Sequence, residues 1–179
     1  MLHILPRILS LRQYQFEIDH KPEPIRPDKC AFCGRSHPWH HAHYLRKSDR
    51  TSKPGESLNP IVIQRYYCPG CGKTTSALPE CLPPRRWYLW EIQQSALVLL
   101  LLGKSAYAIA KENIPSHHTI RRWMARFREQ FILHKDTLCV RLHALSRTSG
   151  LAEFWSACFE KITLGESMRL CHDTGVFIP

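Results

Sequence analysis

The chain has 179 residues, of which 44% are apolar, and 25 Lys+Arg against 15 Asp+Glu give it a formal net charge of +10. That length suits one domain or two small ones, and that charge draws polyanions, nucleic acid before an anionic membrane surface. The longest apolar run, Ala96 to Leu102, is seven residues, where a membrane span needs about twenty. The opening MLHILPRILSLR is interrupted by Pro6, Arg7 and Arg12 and lacks a small-residue cleavage site, so it does not read as a secretory signal. A soluble, cytoplasmic protein is expected, in which the eight cysteines serve as ligands or core residues rather than disulfides.

Residues 1–28 read as a lead-in that ends in HKPEPIRP, an extended linker. Residues 29–80 hold two CxxC pairs and the β-branched, aromatic run IVIQRYY at 61–67, which predicts a strand. Proline-punctuated LPECLPPRR at 78–86 marks a boundary. From Trp87 the pattern turns helical. A first helix runs from Trp87 to Leu102 and stops at Gly103, and Ser105 caps a short one from Ala106 to Asn113. Pro115 breaks the chain and Ser116 caps the next helix. Beyond it Ile120, Trp123, Phe127, Phe131, Leu138, Leu142 and Leu145 recur at steps of three and four, with His134 filling the gap. This predicts either one helix from 116 to about 146 or two that meet near Lys135–Thr137. Ser149 caps a last helix with Leu151, Phe154, Trp155, Cys158, Phe159 and Ile162 on its apolar face, and 165–179 forms a tail without clear pattern.

Cys30-Ala-Phe-Cys33-Gly34 and Cys68-Pro-Gly-Cys71-Gly72 are two CxxCG turns with 34 residues between them. Two thiolates on one tight turn can both reach an ion, and glycine lets the backbone pass beneath the sulfurs. Two such turns complete a closed tetrahedral site, and four thiolates suit Zn²⁺ without redox chemistry. Cys30, Cys33, Cys68 and Cys71 are therefore the expected metal ligands. A thioredoxin-like redox pair would occur once, in a βαβ setting. Arg35 and Lys73 flank the turns and could offset the thiolate charge. HPWHHAHY at 37–44 offers His37, His40, His41 and His43 as further ligands, although solvated or nucleic-acid-facing histidines are the simpler reading. Strand alternation would put His41 and His43 on one face. Cys81 is a weak extra candidate, Cys139 and Cys158 belong to helix cores, and Cys171 has no evident place.

SAYAIAKENIPSHHTIRRWMARF at 105–127 resembles the common bacterial helix-turn-helix pattern IAxxLGVSxxTVxRW: Ile109-Ala110, Ser116, Thr119-Ile120 and Arg122-Trp123 fall on the matching positions. The usual Leu-Gly-Val turn is Asn113-Ile114-Pro115 here, and Asn113 can supply the left-handed geometry that glycine would. The resemblance implies that the helix after Ser116 enters a major groove. His117, His118, Arg121 and Arg122 then face base edges, while Ser116, Arg126 and Arg128 meet phosphates. Residues 116–147 carry seven Lys+Arg and two Asp+Glu, hence +5.

The fold class expected is α+β: a small Cys₄ zinc-ribbon of short antiparallel strands over 29–80, an all-α helix-turn-helix region over 87–133, then C-terminal helices over 134–164. From Cys30 to about Phe131 the chain resembles the DNA-binding front portion of bacterial insertion-sequence transposases and their accessory proteins. That resemblance implies double-stranded DNA as partner, a transposase as a further one, and recognition of element ends. In such families a separate RNase H-like domain cuts DNA, and 134–179 is too short to hold it, so no catalytic residue and no enzyme activity are expected. Two other classes stay open. One is a rubredoxin-like electron carrier, which also uses CPxCG turns. The other is a single-strand or RNA-binding zinc protein that stacks bases on Trp39, Tyr66 and Tyr67. The apolar seam from Phe127 to Leu145 is either a homodimer face or is covered by the 149–162 helix.

Overall fold

The computed structural model describes residues 2–20, 25–47, 58–84, 88–112, 115–174 and 176, the Asp173 side chain excepted. The fold is mixed α+β, with a four-stranded sheet and seven α-helices among the described residues. The chain divides into two compact units, Met1–Leu89 and Trp90–Pro179.

In the first unit, strands β1 (Leu2–Leu5), β2 (Trp39–Arg46), β3 (Ile61–Tyr67) and β4 (Thr74–Pro79) form one sheet in the order β1-β4-β3-β2. The pairs β2–β3 and β3–β4 are antiparallel, and β1 runs parallel to β4 with Leu2 opposite Ser76 and Leu5 opposite Pro79. Strand β3 covers the β-branched run that predicts it. Helix α1 (Leu11–His20) lies against β3. Its Tyr14 is fully buried and donates its hydroxyl to the Ala77 carbonyl at 3.2 Å. Leu5, Ile8, Ile25, Ile61, Ile63, Leu78 and Leu82 surround it.

The first twenty residues are thus a strand and a helix of this core, not a lead-in. Leu11, Tyr14 and Ile18 share one helical face, which was readable, but β1 is only four residues long and its partner lies far along the chain. A backbone strap holds the turn between them: Arg7 N–H donates to the buried Glu80 carboxylate at 3.0 Å, Glu80 N–H to Leu5 O at 3.2 Å and Cys81 N–H to Ile8 O at 3.3 Å. The extended-linker reading of 20–27 falls partly outside the described residues.

The second unit is helical: α2 (Trp90–Leu101), α3 (Ala106–Glu112), α4 (His117–Glu129), α5 (Phe131–Arg141), a 3₁₀ turn (His143–Arg147), α6 (Leu151–Phe159) and α7 (Leu164–Asp173). Helix α2 starts at Trp90; the expected start, Trp87, lies outside the described residues. It ends in a Schellman turn at Gly103 (φ 88°), where Lys104 N–H reaches Leu99 O and Gly103 N–H reaches Leu100 O, each at 3.0 Å. Ile109 of α3 and Ile120, Trp123 and Phe127 of α4 are buried.

The long apolar repeat holds two helices, and their junction is Gln130, not Lys135–Thr137. Gln130 has φ −96° and ψ 5°, ends α4 and precedes α5. The three-and-four spacing continues through the break, so periodicity alone could not locate it. The seam is covered inside the unit. Trp155 of α6 packs on Phe127 with ring centroids 4.7 Å apart and on His134 at 5.7 Å, and Phe154 meets Phe131 at 5.6 Å. Phe127, His134, Leu138 and Leu145 are all buried.

Ser149 does not accept from the next helix as a capping residue. Gly150 holds the N-cap position, and Ser149 donates its N–H and hydroxyl to Glu153 at 2.9 and 2.7 Å. The supposed tail contains α7, opened by a capping box in which Thr163 and Glu166 exchange side-chain-to-backbone bonds. Leu164, Met168 and Cys171 are buried on one face of it.

Trp155 is fully buried against four aromatic neighbours, so Trp155→Ala is expected to lower the stability of the second unit by about 3–5 kcal/mol. Thr163→Ala, which removes one helix cap, is expected to cost about 1 kcal/mol. Urea unfolding followed by circular dichroism measures both, and equal losses would contradict this ranking.

Candidate metal centre

The two CxxCG turns have the same backbone. Cys30 N–H donates to Arg35 O at 2.8 Å and Gly34 N–H to Cys30 O at 2.9 Å; Cys68 N–H donates to Lys73 O and Gly72 N–H to Cys68 O, both at 2.9 Å. Gly34 and Gly72 have φ of 72° and 69°, a left-handed conformation that a side chain would strain. The sheet brings the turns together. Trp39 pairs with Tyr67 at one end of β2–β3, the first turn leads into β2 through an isolated Lys29–Ser36 bridge, and the second joins β3 to β4 where Tyr67 faces Thr74.

The four sulfurs converge, and all lie within 4.8 Å of one another. The turns interleave: Cys30 Sγ is 3.7 Å from Cys71 Sγ, and Cys33 Sγ is 3.6 Å from Cys68 Sγ. A disulfide needs about 2.05 Å, and all four cysteines are free. A tetrahedral ion with metal–sulfur bonds of about 2.3 Å spaces its sulfurs by about 3.8 Å, so the quartet can hold a metal ion.

The electrostatics agree with that use. The backbone N–H groups of Phe32 and Cys33 favour the Cys30 thiolate and hold its thiol down to about 6. The Phe32 N–H is 3.4 Å from that sulfur. The Lys73 N–H also favours a thiolate at Cys71, but burial and the other three sulfurs push its thiol up to about 11. Four clustered thiolates repel, so the last protons stay until a cation replaces them.

Each turn also reaches across to the other. Lys73 Nζ sits 4.5 Å from the centre of the Phe32 ring, and the Arg35 side chain lies over Gly70, where a Cβ would come within 2.7 Å of Arg35 Cδ. Arg35 and Lys73 hold equivalent positions, each the fifth residue after the first cysteine of its turn. The Phe32–Lys73 contact escaped sequence reading; an aromatic inside one CxxC and a lysine just past the other were its signal.

None of the histidines joins the cluster. His37 (φ 51°) is exposed and donates its N–H to Asp28 O at 2.8 Å. His40 Nε2 is 2.7 Å from Gln64 Oε1, and the His41 ring is 5.8 Å from that of Tyr67. A register shift between His40 and Ala42 bulges β2 at His41. His40 and His43 then pair with Tyr66 and Gln64, two residues apart on β3, so they share a face in place of the expected His41 and His43. Cys81 and Cys139 are half-buried, and Cys158 and Cys171 are buried. Cys171 therefore belongs to the core of the second unit. Of the three aromatics considered for base stacking, Trp39 is exposed, Tyr67 half-buried and Tyr66 buried.

The second cluster read from the sequence lies on α4. The Ser116 hydroxyl accepts the Thr119 N–H at 3.4 Å and so caps the helix. His118, Arg121, Arg122, Arg126 and Arg128 are exposed, and His117 is half-buried, with its ring 3.9 Å from that of His118. Arg122 reaches Thr119 Oγ1 at 3.4 Å. An open groove of about 490 Å³ runs along this helix, lined by Ala106, Tyr107, His117, Arg121, Met124 and Arg128. Tyr107 was not singled out from the sequence. Asn113 lies outside the described residues.

The protein is expected to carry one equivalent of metal and to release it as the pH falls, because protons compete for the thiolates. Cys68→Ser is expected to abolish that binding and to unfold the first unit. Metal analysis of the dialysed proteins checks both, and a full equivalent in the variant would refute the ligand assignment.

A family model described as a domain of unknown function, DUF6431, matches residues 26–123, a stretch that includes the four clustered cysteines Cys30, Cys33, Cys68 and Cys71, α2, α3 and the first half of α4. No curated protein and no solved structure matches the chain. With more than half of its length inside that match, the chain belongs to the DUF6431 family.

Proposed function

We propose that this chain is a zinc-dependent, sequence-recognising double-stranded DNA-binding protein that works alongside a transposase, with no catalytic residue of its own. In this reading the cysteine quartet holds a structural Zn²⁺ in a zinc-ribbon, and α3 and α4 act as a helix-turn-helix. A closed site of four thiolates leaves no coordination position for a substrate, which suits a structural ion rather than a catalytic one.

The observation that carries the reading is the division of α4. Ile120, Trp123, Met124 and Phe127 are buried, while Arg121, Arg122, Arg126 and Arg128 all reach solvent. Four cations on the open side of a capped, 13-residue helix suit a polyanion. Arg121 and Arg122, one turn from the N-terminus, are placed for guanine O6 and N7 in a major groove, with His117 and His118 beside them. Ser116, Arg126 and Arg128 would contact phosphates and set the register. The ends of a mobile element are the corresponding target, with strand cleavage left to the partner transposase.

Selection from a random duplex pool is expected to return a defined site. On that site Arg122→Ala should weaken binding by about 1–3 kcal/mol and relax the preference at one base pair. Arg126→Ala should weaken all duplexes alike and lower the salt dependence by about one unit of slope. Unchanged affinity in both folded variants would remove α4 from the interface.

A further inference from the structure

The end of the first unit that carries the CxxCG turns holds a second concentration of nucleic-acid chemistry that the α4 interface does not use. Strand β2 is a sheet edge and is exposed along almost its whole length. At its start Trp39 is 59% exposed and pairs with Tyr67, so the two aromatics share a face, and the His41 bulge lies against Tyr67. Arg65 lies two residues from Tyr67 on the same face of β3 and reaches Thr74 Oγ1 at 2.8 Å. The cysteine turns add Phe32, 38% exposed under the Lys73 ammonium, and Arg35.

Charge agrees with this composition. Residues 25–47 and 58–79 contain seven Lys+Arg and one acid, Asp28. A divalent ion on four thiolates subtracts two charges and leaves the region basic. A duplex shields its base faces inside the stack, so exposed aromatics gain little from it. An unpaired strand offers a π-face at every base and a phosphate between each, which is what interleaved aromatics and cations bind.

We infer that Trp39, Tyr67 and Phe32, with Arg35, Arg65 and Lys73, form a docking surface for an unpaired DNA strand, distinct from the duplex-binding helix α4. The choice of DNA over RNA rests on the duplex-binding reading of the second unit; the stacking surface itself does not. Two sites of this kind would let one chain bind both a duplex and an unpaired strand.

The test uses the full metal-loaded chain and a labelled oligothymidylate of about 12 nucleotides, followed by fluorescence anisotropy at fixed salt. The expected result is saturable binding that Trp39→Ala weakens about 5- to 100-fold, with metal content and circular dichroism unchanged. Arg65→Ala should steepen the loss, and the Arg121→Ala/Arg122→Ala double variant should bind the oligothymidylate like the parent. If only that double variant loses single-strand binding, the strand lies on α4 and the inference falls. It falls also if Trp39→Ala binds normally. An oligouridylate that binds more tightly would overturn the assignment to DNA, and no oligonucleotide binding at all would leave the patch to a protein partner and overturn it outright. Oligothymidylate binding that survives while duplex binding is absent supports this surface and removes the proposed role of α4, so the two readings fail separately.

Discussion

Convergence of four sulfurs is the constraint on which the first unit depends. Thiolates held within 4.8 Å of one another repel unless a cation lies among them. The fold nevertheless forces the approach, through two turns of identical hydrogen bonding fixed to the same end of one sheet. The register of β2 against β3 and the position of the sulfurs are therefore a single specification. A slip of one residue in that pairing would move one turn by more than 3 Å and reverse which side chains face the core. Lys73 on the Phe32 ring and Arg35 over Gly70 tie each turn to the other across the gap.

The second unit solves a different problem with an aromatic cluster in place of an ion. Trp155 sits among Phe127, His134, Phe154 and Phe159, with ring centroids from 4.7 to 5.7 Å. One residue of α6 thus anchors the end of α4 and the start of α5. This packing leaves the opposite side of α4 free of structural duty, and all four arginines of α4 are found exposed. The apolar residues that α5 does leave open, Ile132, Leu133 and Val140, lie off the seam that periodicity singles out.

How much of this was legible follows from the range over which each signal acts. CxxCG spacing is local chemistry, and its cysteines, its glycines and the strand at 61–67 that precedes the second turn all stand where the sequence puts them. Capping at Ser116 and the buried set Ile109, Ile120 and Trp123 are likewise short-range patterns. The misses have longer-range causes. Strand β1 is only four residues, and its partner is β4, so nothing near it announces a sheet. The His41 bulge depends on how β2 meets β3, and it overturns an alternation argument that assumes an unbroken strand. Tyr66 looks like its neighbour Tyr67 in sequence, yet it points into the core because the burial phase of β3 changes after Ile63. Helix α7 had readable marks in Thr163, Glu166, Leu164, Met168 and Cys171, but they are few and interrupted by Gly165.

The parallel pairing of β1 with β4 sets an order on how the sheet can be completed. Leu2 finds its neighbour at Ser76, whereas β2, β3 and β4 are successive strands that pair with one another. On a ribosome β1 is made before β4 and can be seated only after Pro79 has emerged. Until then Leu2, Ile4 and Leu5 travel unpaired, and the edge of β4 that they will cover stays open. The segment that appears most dispensable in the sequence is therefore the one that closes the sheet, and the loop it must close runs from Leu5 to Thr74.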